Sequence, residues 1–101
     1  MTQITNNLFD RVYEIVKKIP KGEIMTYGQV ARMIGTRDAR RVGQALHANK
    51  DKNVPCHRVV FADGTLAPGY AFGGAEEQKK KLLAEGVELE GEKVKMGSRI
   101  G

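Results

Sequence analysis

Thr26-Tyr27-Gly28-Gln29-Val30-Ala31-Arg32-Met33-Ile34-Gly35-Thr36-Arg37-Asp38-Ala39-Arg40-Arg41-Val42-Gly43-Gln44-Ala45-Leu46-His47-Ala48 carries two short helical patterns across one turn. Thr26 is a capping residue type, and Val30, Ala31 and Ile34 fall on one face of a helix over Tyr27 to Met33. Gly35 stands where a helix stops. Asp38 can cap a following helix from Ala39 to about Ala48, with Val42, Ala45 and Leu46 inward. Two such helices across a glycine-containing turn fit a helix-turn-helix. The second helix holds Arg40 and Arg41 in its first turn, where the helix dipole prefers acids. That cost points to a partner outside the helix. Gly43 interrupts the same helix, at about 1 kcal/mol against alanine. Beside Gln44 and Ala45 it leaves a thin face, suited to a groove or, equally, to close packing on another helix.

Upstream, Asn6 to Lys18 reads as an amphipathic helix capped by Asn6 or Asn7, with Leu8, Val12, Ile15 and Ile19 inward. Pro20-Lys21-Gly22 ends it. Downstream, Val59 to Phe61 reads as a strand, Asp63-Gly64 as a turn and Thr65-Leu66 as a returning strand. The expected fold is therefore mainly α with a small β-hairpin, a winged helix-turn-helix-like DNA-binding domain. A glycine-rich loop, Ala67 to Gly74, leads into a last helix from about Ala75 to Glu85. A short hairpin is expected around Glu90-Gly91, and a frayed tail from Gly97 to Gly101.

A chain of 101 residues suits a single domain over 1–101. With 41% hydrophobic and 29% charged residues it reads as an ordinary globule. No apolar run approaches the ~18–20 residues of a membrane span. Met1-Thr2-Gln3-Ile4 lacks the regions of a signal peptide, so a cytoplasmic location with no membrane partner is expected. One cysteine excludes an internal disulfide, and with two histidines it offers no metal site.

The net charge of +5 is concentrated. Between residues 30 and 60, Arg32, Arg37, Arg40, Arg41, Lys50, Lys52 and Arg58 face only Asp38 and Asp51. Such a patch fits a polyanion partner. On charge alone a merely solvated basic surface stays equally open.

Cys56 lies in Pro55-Cys56-His57-Arg58. A lone cysteine is most often a small buried hydrophobe. Here His57 offers a base titrating near neutrality and Arg58 a positive charge, a setting that lowers a thiol's pKa. Adjacent side chains on a strand point to opposite faces, so Cys56 and His57 cooperate only if the chain turns there or a water bridges them.

Pro55-Cys56-His57-Arg58-Val59-Val60 resembles the active-site motif of the O6-alkylguanine-DNA alkyltransferases. Further matching stretches are Ile19-Pro20-Lys21-Gly22-Glu23, Thr26-Tyr27-Gly28-Gln29-Val30-Ala31, Ala39-Arg40-Arg41-Val42-Gly43-Gln44-Ala45-Leu46, Asn49, Asp63-Gly64, Gly69-Tyr70, Gly73-Gly74 and Glu85-Gly86. The resemblance runs over about residues 6–90. It implies that Cys56 accepts the alkyl group from O6 of a damaged guanine in one displacement. It also implies that His57 and Glu85 relay the thiol proton through a water, that Tyr27 aids base rotation and stabilises the departing guanine, and that Asn49 is a hinge. Arg40 would fill the space left by the flipped base. Thr26, Gln29, Ala39, Arg41, Gly43 and Arg58 would join it on the DNA, the recognition helix lying in the minor groove. Pro55, Val59, Tyr70, Ala71 and Phe72 would wall the alkyl pocket. The implied partner is double-stranded DNA containing O6-alkylguanine, met by a monomer without cofactor or metal.

Three features depart from the family pattern. The match is to the DNA-binding and active-site domain, without the N-terminal domain of the repair enzymes. In that respect the chain is similar to the alkyltransferase-like proteins, which bind the lesion without transfer, pass it to nucleotide excision repair proteins and normally lack the cysteine. Tyr70-Ala71-Phe72-Gly73-Gly74 has one residue more than the usual loop, and Lys81 stands where an apolar residue is common. Three readings follow: a single-turnover methylated-DNA–protein-cysteine methyltransferase, a lesion-binding protein, or a sequence-specific helix-turn-helix regulator with a structural cysteine.

Overall fold

The computed structural model describes residues 7–67 and 70–95. Asn6, Pro68, Gly69 and the tail expected to fray lie outside them. Helix α1 (Leu8–Lys17) starts at Asn7, whose Oδ1 accepts the Asp10 amide at 2.9 Å. Helix α2 (Tyr27–Met33) starts at Thr26. Thr26 Oγ1 accepts the Gln29 amide at 3.1 Å, and Gln29 Oε1 accepts the Thr26 amide at 2.8 Å. This reciprocal cap satisfies two amides that a helix start otherwise leaves open. Thr26→Ala should cost about 1 kcal/mol, read as a lower urea midpoint; an unchanged midpoint would refute the cap's contribution. Helix α3 (Ala39–His47) is capped by Asp38, which accepts the Arg41 amide at 3.3 Å. Its carboxylate brings an anion to the end of the helix that Arg40 and Arg41 burden.

The three helices share a core of Val12, Val16, Val30, Ala31, Val42 and Ala45, joined by Val54 and Val59. Two polar ties fix their order. Tyr13 Oη donates to the Ala45 carbonyl at 2.7 Å, holding α1 on α3. Arg11 Nη2 donates to the Ile34 carbonyl at 3.0 Å, holding α1 on the end of α2.

The expected hairpin is corrected. Strand β2 (Val59–Val60) pairs with β1 (Met25–Thr26), and the pairing is parallel, with Met25 opposite Val59. The turn at Asp63-Gly64 does form: Asp63 Oδ1 accepts the amide and hydroxyl of Thr65 at 3.0 and 2.6 Å, and Gly64 has φ 89°. That local loop closes on itself, the Phe61 amide donating to the Thr65 carbonyl at 3.0 Å, and the return does not continue as a strand along β2. Thr65 then bridges Lys93, and the Leu66 amide reaches the Glu92 carbonyl at 3.3 Å. The partner segment is the hairpin of β3 (Leu89–Glu90) and β4 (Lys93–Val94), which was expected. A second core, Ile24, Val60, Leu66, Leu82, Val87 and Val94, lies beneath it. Mainly helical structure with small strands and a helix-turn-helix is thus what the chain adopts.

Helix α4 (Gly74–Ala84) has a polar face turned inward. Gln78, Lys81 and Glu85 recur at three and four residues, so they stack along one side. Gly22 (φ 88°) brings the turn after α1 against its end, where a β-carbon would stand 3.2 Å from the Glu85 carbonyl oxygen. No helix among the described residues is long and apolar enough to cross a membrane.

Candidate active site

Residues Cys56–Arg58 form a single 3-10 turn between the polar connection 49–53 and β2. The chain does turn at the cysteine, which removes the strand objection. Fully buried Gln78 fixes this turn from behind. Its Nε2 donates to the carbonyls of His57 (3.1 Å) and Val59 (2.9 Å), and its Oε1 accepts the Ala67 amide at 2.7 Å. Sequence reading missed Gln78. The usable signal was its spacing from Glu85 on the same helix.

Cys56 is 4% exposed. It forms part of a mostly apolar cleft of about 440 Å³, walled by Tyr27, Arg40, Gly43, Phe61 and Tyr70. Ala39 and Ala71 also line it. A volume of this size is typical of pockets for small organic groups. A β-carbon on Gly43 would meet only the Tyr27 ring, at 4.0 Å, so helix packing does not require the glycine. Phe61, 43% exposed, lies 5.1 Å from Tyr27 between ring centroids and was not anticipated.

Asn49 is buried and holds the sulfur. Its Nδ2 donates to Cys56 Sγ at 3.1 Å and to the Asp51 carbonyl at 2.9 Å. Burial nevertheless pushes the Cys56 thiol above its ordinary pKa, against the lowering influence of the Asn49 amide and Lys81. Burial thus reverses the expected lowering in the free protein, and Arg58, which was expected to oppose it, does not face the sulfur. Arg58 turns inward: its Nε and Nη2 grip Glu85 at 3.0 and 2.7 Å, and Nη1 donates to the Ile19 carbonyl at 2.8 Å.

His57 Nε2 lies 2.9 Å from Glu85 Oε2. Burial raises the Glu85 carboxyl, but the hydrogen bonds and charges of Arg58 and His57 outweigh it and bring the pKa down to about 2. Glu85 is therefore an anion and an acceptor only, so Nε2 carries the hydrogen. Burial also lowers the His57 pKa, leaving the ring neutral at pH 7 with a free lone pair on Nδ1. Tyr27 is driven up to about 12 by burial and by Cys56, and so remains a phenol and a donor.

The remaining expected site residues scatter. Thr26 and Gln29 spend their side chains on the cap, while Arg40 and Arg41 are exposed. Val59 is fully buried in the core rather than on the cleft. Pro55 starts the 3-10 turn, its carbonyl accepting the Arg58 amide at 3.0 Å. Phe72, His57 and Glu85 line a second cavity of about 380 Å³, and Tyr70 lines both.

Acid should weaken the fold in two stages. The unfolded chain protonates His57 first, near its ordinary 6.5, so stability drops as pH falls below that value. Glu85 contributes stability that is full above its ordinary 4.5 and is lost as pH falls through about 2. Urea midpoints measured from pH 8 to pH 2 should show both stages, and Glu85→Gln should lack the lower one. A Glu85→Gln profile parallel to wild type below pH 4 would contradict this.

Residues 7–87 match the model described as 6-O-methylguanine DNA methyltransferase, DNA binding domain. The chain is 40% identical over 86 residues to alkyltransferase-like protein 1 of Schizosaccharomyces pombe, covering 83% of this chain and 80% of that protein. It is 43% identical over 95 residues to a methylated-DNA–protein-cysteine methyltransferase of Metallosphaera sedula, covering 93% of this chain but 55% of that one. It thus spans about half the length of that relative. Among solved structures, S. pombe Atl1 in complex with damaged DNA containing O6-carboxymethylguanine aligns with a TM-score of 0.74 at 38% identity, over 87% of this chain and 83% of that one. The Mycobacterium tuberculosis OGT complex with DNA aligns at 0.74 and 36% identity, over 85% and 52%. The matched span takes in both cleft helices, the cysteine turn and the helix bearing Gln78 and Lys81, and so the chain belongs to the family of the 6-O-methylguanine DNA methyltransferase DNA-binding domain.

Proposed function

We propose that this chain is a DNA repair protein that recognises O6-alkylguanine in duplex DNA and takes the alkyl group onto Cys56. The observation that carries this is the position of Cys56 in a cleft shared by Arg40, Gly43 and Tyr27. Relatives that act on or bind such lesions support it. The O6 substituent is stacked inside the duplex, so the nucleotide must leave the stack, at a few kcal/mol. Exposed Arg40 fills the gap. Gly43 and Ala39 let α3 approach a narrow groove, and Arg41 meets phosphate.

The Cys56 proton passes through water to Nδ1 of His57, and Glu85 stabilises the resulting imidazolium. Asn49 stabilises the thiolate by hydrogen bonding. The sulfur attacks the alkyl carbon, the carbon–O6 bond breaks, and its electron pair stays on guanine O6. Tyr27, held as a phenol, donates a hydrogen bond to the departing base. The thioether has no easy reversal, so each monomer acts once.

A second reading is favoured by one observation, the burial that holds the thiol protonated. It is lesion recognition without transfer, followed by recruitment of nucleotide excision repair proteins. Intact-mass analysis after incubation with an O6-methylguanine duplex separates the two. One added methyl on Cys56 per molecule supports transfer. An unmodified thiol with lesion-selective binding supports the second reading, and an unmodified thiol without lesion-selective binding rejects both.

A further inference from the structure

Lys81 lies on the inward face of α4, between Gln78 and Glu85, and the chemistry above gives it no role. Its Nζ donates to Tyr70 Oη at 2.7 Å. The same ammonium stands 5.2 Å from the Tyr70 ring centroid and 5.4 Å from that of Phe72. The two rings meet edge to face, 5.9 Å apart. One cation therefore touches both aromatic residues of the 70–74 loop, and such contacts strengthen as water is excluded. Tyr70 is 8% exposed and is the partition between the Cys56 cleft and the cavity bearing His57.

We propose that Lys81 is a positioning residue for the alkyl-accepting site: it clamps Tyr70 and Phe72 so that the partition stands correctly against Cys56. The inference rests on the reading of Cys56 as the acceptor. The clamp accommodates the extra residue of the loop, since it is Phe72 that the cation holds beside Tyr70. An apolar residue at this position would supply neither the hydrogen bond nor the charge. Lys81 also contributes a positive field at Cys56, opposing burial and Asp51. The other groups acting there are the Asn49 amide and the phenols of Tyr13 and Tyr27. Lys21 lines the same second cavity and has no such link to Tyr70.

The test needs no DNA. The rate of Cys56 alkylation by iodoacetamide is followed from pH 6 to pH 10, the sulfur gaining carboxamidomethyl as iodide leaves. Lys81→Met should move the profile to higher pH and lower the rate at pH 7 about threefold. Lys81→Arg should restore it, and Lys21→Met should leave it in place. Tyr70→Phe, which removes the acceptor of the clamp, should change the rate in the Lys81 background but not in the Lys81→Met background. An unmoved profile in folded Lys81→Met overturns the proposal, and so does an equal shift in Lys21→Met. If Lys81→Met fails to fold, a Tyr70→Phe profile identical to wild type overturns it. Failure of methyl transfer from lesion DNA in the wild type would remove the acceptor reading but leave this profile measurable, so the two failures are distinct.

Discussion

Replacing Cys56 by alanine should abolish the methyl mass gain while lesion binding stays within a few-fold of wild type. The lost sulfur is small, and its partner Asn49 keeps its bond to the Asp51 carbonyl. The stability cost should therefore be about 1 kcal/mol. Cys56→Ser sharpens the test. A hydroxyl retains the Asn49 hydrogen bond, yet an alcohol does not ionise near neutral pH, so transfer should stop there as well. A methyl adduct persisting in the alanine variant would place the acceptor elsewhere and sink the mechanism. Loss of binding in both variants would show that the sulfur is structural.

The largest expected loss of stability comes from a residue outside the reaction. Gln78→Ala should destabilise the domain by about 3 kcal/mol, because three buried backbone groups lose their partner at once. Those groups are the Ala67 amide and the carbonyls of His57 and Val59. Gln78→Glu should be nearly as costly, since an ionised carboxylate offers no hydrogen to either carbonyl. Urea unfolding followed by circular dichroism reads both. A loss under 1 kcal/mol in each would mean that water replaces the amide readily and that the turn does not depend on it.

The helices were legible because each carries its own punctuation. Thr26 with Gln29, Asp38, and Gly35 after α2 mark their ends locally, and the observed bounds of α2 agree with the sequence reading. The pairing of Met25-Thr26 with Val59-Val60 was not legible. Two-residue strands show no alternation, and nothing local links segments so far apart. The Asp63-Gly64 turn was read correctly and its consequence wrongly, because a tight loop says where the chain bends and not which neighbour it then meets. At the site, Cys56, Asn49, Tyr27, Arg40, His57 and Glu85 were named from motif resemblance, and the geometry brings the first four to one cleft or its edge and the last two to its reverse side. Arg58 was misread. Its charge was counted toward the thiol and the DNA, whereas a carboxylate contributed by α4 draws it inward.

The parallel pairing of β1 with β2 has a mechanical result. Everything from Tyr27 to Arg58 is a loop of chain whose two ends are fastened side by side, about 4.8 Å apart as in any sheet. Arg40 and Cys56 both ride on that closed hoop, which limits how far either can travel relative to the other. Widening the mouth for a bulkier guest must therefore come from the walls that the hoop does not carry, Phe61, Ala67 and the start of the 70–74 segment.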